Sequence, residues 1–260
     1  MDSPRKLTRV DIILAAKAAR AIVPDDECFI VGSMALLIVL GKNTRLDTSY
    51  DIDLVPTKKD VPPEQKQEFV DKLGPDSAFR REHGFYVGGV TNVFLRDLPS
   101  GWEERTNDID LGEFKIRCIS PYDVASGKLY AGRQKDFNHL MAMVEEKLID
   151  TAELREFTKN NIPAHYVVIM RKVTDSFKIL ERLLQAPSEL ESIRNDHACG
   201  KLSSEDALAR TLEALHVSKE RKEHASKIIE KFFRSPKLSP SFVVKTVRAQ
   251  ENPDFPDMQV

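Results

Sequence analysis

The chain has 260 residues, enough for one large domain or two modest ones with a substantial core. Its 41% hydrophobic and 31% charged content excludes a disordered chain. Lysine and arginine number 39 against 41 aspartates and glutamates, a net charge of -2, so any grip on nucleic acid must come from a local patch.

In chain order, Ile12, Ile13, Ala16, Ala19 and Val23 recur at helical spacing and predict an amphipathic helix over Asp11 to Ile22. Cys28-Phe29-Ile30-Val31 reads as a short buried strand, broken by Gly32-Ser33. The stretch Met34 to Leu40 is apolar all round and predicts a buried helix that stops at Gly41. A polar loop, Lys42 to Tyr50, leads into Asp51-Ile52-Asp53-Leu54-Val55, whose alternation predicts a second strand. A helix is expected from Pro63 to Leu73. Two strand-like runs follow, Phe85 to Leu95 and Ile109 to Ile119, and an antiparallel pair is the simplest connection between them.

At Ser120-Pro121-Tyr122-Asp123 the helix-start signals agree: a capping hydroxyl, a proline suited to the first turn, and an acid at the positive helix end. From there to Phe233 the chain reads as helical, with Pro163, Pro187 and Gly200 as punctuation, and the tail after Pro236 as loosely held. The expected architecture is α+β. A small mixed sheet with flanking helices fills residues 1–150, and a helical C-terminal region fills 151–260.

Chemistry concentrates in the first half. Alternate residues of a strand share a face, so Asp51 and Asp53 present two carboxylates side by side. Two such charges repel unless something positive lies between them. A magnesium ion suits that place, because it takes hard oxygen ligands and keeps positions for phosphate oxygens. Gly32 lets a backbone approach a phosphate closely, and Ser33 adds a hydroxyl and helix N-terminal amides for the same anion. An Asp-x-Asp pair alone is more often a solvated strand edge, and Gly-Ser alone an ordinary cap; their combination on two neighbouring strands is far more specific.

Val31-Gly-Ser-Met-Ala-Leu followed by Thr48-Ser-Tyr-Asp-Ile-Asp-Leu resembles the signature of the DNA polymerase β-like nucleotidyltransferases. Downstream, Asp123-Val-Ala-Ser-Gly-Lys-Leu-Tyr-Ala-Gly-Arg-Gln-Lys-Asp136 is similar to a block of the branch containing the abortive-infection AbiEii toxins and their mycobacterial relatives. The resemblance covers roughly Ile30 to Leu140. It implies transfer of a nucleotidyl group from a nucleoside triphosphate to a hydroxyl acceptor, with Mg2+ or Mn2+ held by Asp51 and Asp53. Carried over by motif position, Lys128 joins the site as a phosphate-neutralising cation and Asp136 as its partner or a proton acceptor. Arg133 and Lys135 offer further phosphate contacts, or form a solvated helix face. The resemblance also implies an acceptor such as a transfer-RNA 3′ end or a protein hydroxyl, and a toxin role opposed by a cognate antitoxin protein.

Many relatives in the superfamily supply a third metal-binding carboxylate from a later strand. Here Asn92 and Phe94 occupy the first positions to search, and Asp97, Asp110, Glu113 or Asp136 would have to serve instead. That departure keeps two rivals open: a nucleotide- or RNA-binding module of weak activity, and a modifier of small molecules of the antibiotic nucleotidyltransferase kind.

The remaining features read as structural. Trp102 is expected to pack its loop onto the body rather than stack on a base. The six histidines show no metal-binding spacing, and His139 is expected to be structural. The three cysteines (Cys28, Cys118, Cys199) offer neither a disulfide framework nor a zinc site, which suits a reducing cytoplasm. No apolar run is long enough to cross a bilayer and no signal-peptide core opens the chain, so no membrane partner is expected. Basic residues dominate Lys219 to Arg248, which suits either an RNA backbone or a plain surface helix.

Overall fold

The computed structural model describes residues 7–24, 27–40, 51–56, 61–89, 98–110, 115–162, 166–215, 217 and 221–250. It divides into two compact units, one of Met1–Gly127 with Ala142–Val167 and the other of Lys128–Met141 with Val168–Val260. The division is discontinuous, and residues 128–141 go with the C-terminal helices.

The first unit is built on a mixed five-stranded sheet in the order β3-β2-β1-β5-β4. Its strands are β1 (Glu27–Ile30), β2 (Asp51–Pro56), β3 (Tyr86–Gly88), β4 (Asn107–Asp110) and β5 (Lys115–Cys118). β1 runs antiparallel to β2 and parallel to β5, β2 runs parallel to β3, and β4 runs antiparallel to β5. Ile30, Ile52, Leu54, Val55, Ile116 and Cys118 are buried, so the sheet carries the core of this unit.

Around it lie α1 (Arg9–Ile22), α2 (Gly32–Leu40), α3 (Pro63–Leu73), α4 (Ala78–His83) and α7 (Thr151–Asn161), with a 3-10 turn at Trp102–Arg105. α1 starts where its sequence allows: the Thr8 backbone N–H donates to Asp11 Oδ2 at 2.7 Å, a capping box. α1 then buries Ile12, Ala15 and Ala16 and packs against β2 and β3. Trp102 meets Phe29 edge-on at 4.8 Å, and this seats the 3-10 turn on the sheet as expected. α5 (Pro121–Ala131) and α6 (Gln134–Glu145) each contain residues of both units. Ser120 begins α5 as its sequence predicts, its Oγ accepting from the Asp123 N–H at 3.2 Å.

Three expectations are corrected. The runs at 85–95 and 109–119 do not pair with each other among the described residues. β3 pairs with β2, and the second run is itself a hairpin of β4 and β5. Residues 90–97 and 111–114 lie outside the described residues, as does the Gly41 helix stop. Pro187 does not punctuate: it lies inside α8 (Val167–Ala198), whose buried Val173, Phe177, Leu180, Leu183, Ala186 and Leu190 hold the helix through it. The stretch after Pro236 is not loose throughout, since it contains α11 (Pro240–Gln250) with Val243, Val244 and Val247 buried.

The second unit is helical, with α8, α9 (Ser204–Ala214), α10 (Lys222–Arg234) and α11. Gly200, at φ +74, follows the end of α8 as a left-handed stop. α10 buries Ala225, Ile228, Ile229 and Phe232 on one stripe, and α9 and α11 both pack on it. Two of its basic residues pair within the helix, Lys227 with Glu223 at 3.3 Å and Arg234 with Glu230 at 3.6 Å. Such i,i+4 pairs are the ordinary dress of a surface helix. The α+β class stands: a mixed sheet with flanking helices and a helical C-terminal region.

Candidate active site

The strand β2 alternates as its sequence predicts. Ile52 and Leu54 are buried on one face, while Asp51 and Asp53 are half-buried on the other. Two neighbours bring other elements to that acidic face. β1 ends beside it, where the Val31 N–H donates to the Asp53 carbonyl at 3.1 Å, and the chain turns at once into α2 through Gly32. β3 lies alongside in parallel register, with Tyr86 opposite Asp51 and Gly88 opposite Asp53.

The Asp53 carboxylate fills space that side chains would otherwise claim. A Cβ on Gly32 would lie 2.6 Å from Asp53 Oδ2, and one on Gly88 would lie 2.7 Å from Asp53 Oδ1. Gly32 has φ +66, a left-handed conformation that also favours glycine. The Gly32 turn thus lies against the carboxylate of Asp53. Ser33 follows as the second residue of α2, half-buried, at the helix end where backbone amides point outward.

Asp51 faces a phenol. Tyr86 Oη donates to Asp51 Oδ2 at 3.4 Å, and the Arg80 guanidinium lies 5.6 Å from the Tyr86 ring centroid. Burial, together with the negative charges of Asp51 and Asp53, pushes the Tyr86 phenol up to about 12, so it remains a proton donor at neutral pH. Sequence reasoning missed Tyr86 and Gly88, because their importance comes from the β2–β3 register.

Lys128, Arg133 and Asp136 belong to the second unit and form a cluster of their own. α5 ends at Ala131, Gly132 turns the chain at φ +62, and α6 begins at Gln134. That turn brings Lys128 Nζ to 3.5 Å from Asp136 Oδ1, although no single helix runs through both residues. Asp136, itself buried, also accepts from Arg133 Nε at 2.7 Å and from the Arg133 backbone N–H at 3.3 Å. Lys128 Nζ lies 2.7 Å from His139 Nδ1. Desolvation holds Lys128 below the usual lysine range, against the opposing pull of Asp136. His139 is driven well below the ordinary histidine value by burial, and then by the charge of Lys128. The imidazole is thus neutral, and its Nδ1 accepts from the ammonium.

Among the described residues no group of three or more His, Cys, Asp or Glu is placed to share a metal ion. Of the acids considered for a third ligand, Asp97 and Glu113 lie outside the described residues, with Asn92 and Phe94, and so does the side chain of Asp110. Asp51 and Asp53 nevertheless fit a hard divalent cation: two carboxylates share one half-buried face, and glycines leave both Asp53 oxygens room.

A family model described as "Nucleotidyltransferase of unknown function (DUF6036)" matches residues 9–183. This chain belongs to that family. The match spans the whole sheet and contains Gly32, Ser33, Asp51, Asp53, Lys128, Arg133 and Asp136. No curated protein matches the chain. No solved structure matches it. For this DUF6036 nucleotidyltransferase the general chemistry is nucleotidyl transfer, which agrees with an acidic strand face set against a glycine turn. No helix among its described residues is long and apolar enough to cross a membrane.

Proposed function

We propose that this chain transfers a nucleotidyl group from a nucleoside triphosphate to a hydroxyl acceptor, with a magnesium or manganese ion held by Asp51 and Asp53. The observation that carries the reading is the contact of the Gly32 turn with the carboxylate of Asp53, within a nucleotidyltransferase family.

When bound, such a cation would supply positive charge against the negative charge developing at the α-phosphorus. Asp51 and Asp53 hold it, and one of these carboxylates takes the proton as the acceptor hydroxyl attacks. A bond forms between the acceptor oxygen and the α-phosphorus, the bond to the β-phosphate oxygen breaks, and pyrophosphate leaves. Gly32 and Ser33 seat the β- and γ-phosphates on the first amides of α2. By the resemblance of the 123–136 block, Lys128 has the role of a phosphate-neutralising cation, its ammonium held by Asp136 and His139. Arg133, beside Asp136 and with a side chain 62% exposed, offers a further phosphate contact in this reading.

The acceptor in this reading is a transfer-RNA 3′ end or a protein hydroxyl. The cellular role is that of a toxin in a toxin–antitoxin pair of the AbiEii kind, restrained in the cytoplasm by a cognate antitoxin protein. The resemblance of the 123–136 block supports that role.

The test is incubation with each labelled nucleoside triphosphate, magnesium and total cellular RNA, for the wild type and Asp53→Ala. Label on RNA, or on the protein itself, that needs Asp53 establishes the transferase and its acceptor. Binding of triphosphate without transfer to any acceptor, small hydroxyl compounds included, overturns it in favour of a binding module.

A further inference from the structure

Strand β3 carries a glycine that its backbone does not require. Only Gly89, the next residue, has a positive φ, at +87; Gly88 is not among the residues with positive φ, so its backbone lies where any L-residue fits. Glycine inside a strand weakens it, because it loses more chain entropy on folding and contributes no side chain to packing. Something else must favour a missing side chain here. Among the described residues, its chain neighbours aside, the atoms within 4 Å of a Cβ built on Gly88 are those of the Asp53 carboxyl group, Oδ1 at 2.7 Å and Cγ at 3.9 Å. Among the described residues no other backbone or core side chain comes that close.

We propose that Gly88 is a positioning residue for Asp53: its bare Cα fixes the rotamer in which the Asp53 carboxylate faces the metal. This rests on the reading of Asp51 and Asp53 as the metal-holding pair. The carboxylate occupies a slot with a glycine on each side, Gly32 against Oδ2 and Gly88 against Oδ1. The two glycines act differently. Gly32 combines close approach with a left-handed backbone, so replacing it would mix strain with displacement. Gly88 offers displacement alone. An alanine there leaves the β2–β3 register intact, with Asp53 still opposite residue 88, and forces one short side chain to rotate. An aspartate has only two side-chain torsions, χ1 and χ2, and turning either to avoid the methyl redirects the carboxylate oxygens. Metal affinity depends steeply on such orientation, by about 10- to 100-fold when a group supporting a ligand is lost.

The consequence is unusual for a strand. Gly88→Ala raises or preserves thermal stability, since alanine suits a strand better than glycine, while it weakens metal binding.

The experiment measures Mn2+ binding to the full chain by electron paramagnetic resonance, with thermal unfolding of the metal-free protein in parallel. Four proteins are compared: wild type, Gly88→Ala, Asp53→Ala and the double variant. The expected result is a rise in the Mn2+ dissociation constant of about tenfold or more for Gly88→Ala, with an unchanged or higher Tm. In the Asp53→Ala background the same substitution has no further effect on Mn2+, because the group it displaces is gone. Wild-type affinity in Gly88→Ala overturns the proposal, and so does a Tm loss of the same size with and without Asp53. If the wild type itself binds no Mn2+, or Asp53→Ala binds it as tightly, the metal-site reading fails instead, which separates the two outcomes.

Discussion

Arg105 meets both carboxylate oxygens of Asp123, Nη2 to Oδ1 at 2.7 Å and Nε to Oδ2 at 3.1 Å, where Asp123 is fully buried. The pair ties the 3-10 turn that precedes β4 to the first turn of α5. Arg105 also spans to the Ser100 carbonyl at 2.8 Å and lies 4.9 Å from the Phe157 ring centroid of α7. Asp123 completes the cap by accepting from Ser120 Oγ at 2.6 Å.

Arg105→Ala therefore leaves a buried carboxylate without its cation. Removing one partner of such a pair costs about 3–5 kcal/mol. Chemical denaturation should place Arg105→Ala well below wild type, with Arg105→Met combined with Asp123→Leu recovering part of the loss. A loss under about 1 kcal/mol for Arg105→Ala would show that solvent reaching the guanidinium already screens the pair.

Gly132 and Gly127 flank Lys128 and answer opposite demands. Gly132 has φ +62 in the turn between α5 and α6, and a Cβ there would approach Ser176 Oγ to 3.2 Å. Gly127 is inside α5, and beyond its own helix no described residue comes within 4 Å of an added Cβ. Gly132→Ala should destabilise by about 1–2 kcal/mol through left-handed strain. Gly127→Ala should stabilise by about 0.5–1 kcal/mol, as alanine does in an open helix interior. Thermal unfolding of the two variants side by side measures both signs.

These features mark what the sequence makes legible. Periodicity alone places Asp51 and Asp53 on one face of β2, because strand alternation needs no partner to be known. The α3 bounds and the Ser120 cap follow equally from local residues, proline and serine at helix starts. What stays hidden depends on pairing. β3 lies parallel to β2 rather than forming a hairpin with the following strands, and no local residue distinguishes those two outcomes. Gly88 and Tyr86 therefore carry no local signal of their roles, and neither does Arg105. Pro187 misleads for the converse reason: its local preference for a break is outweighed by the apolar stripe that α8 buries on both sides of it.

The three cysteines should differ in reactivity by environment. Cys118 is buried, with Sγ 3.3 Å from the Ala35 carbonyl, and burial pushes its thiol up to about 12. At pH 8 only about one in 10⁴ such thiols is ionised, and the thiolate is the reacting species. Cys199 is exposed and Cys28 half-buried. Mass spectrometry after brief maleimide treatment of the folded protein should find Cys199 modified first and Cys118 unmodified. Early label on Cys118 would mean that the sheet opens on the timescale of the reaction.

The Lys128–His139 contact gives stability a pH dependence whose sign can be worked out. The folded His139 titrates well below 6.5, held there by burial and by Lys128, Lys135 and Arg133, with the carboxylate of Asp136 also within the cluster. Above pH 6.5 the imidazole is neutral folded and unfolded, and its contribution is complete. As pH falls below 6.5 the unfolded chain takes up a proton that the folded cluster refuses, so stability declines, by at most about 1.4 kcal/mol per pH unit for one proton. His139→Gln keeps an oxygen to accept from the Lys128 ammonium and cannot titrate. Unfolding curves recorded between pH 8 and pH 5 should therefore show the wild type losing stability faster than His139→Gln below pH 6.5, and the two should run parallel above it. The carboxylates and the other histidines titrate in both proteins and cancel in the difference. Parallel curves across the whole range would mean that His139 takes its proton as readily in the folded protein as in the unfolded chain, so that the ammonium beside it is not a fixed charge.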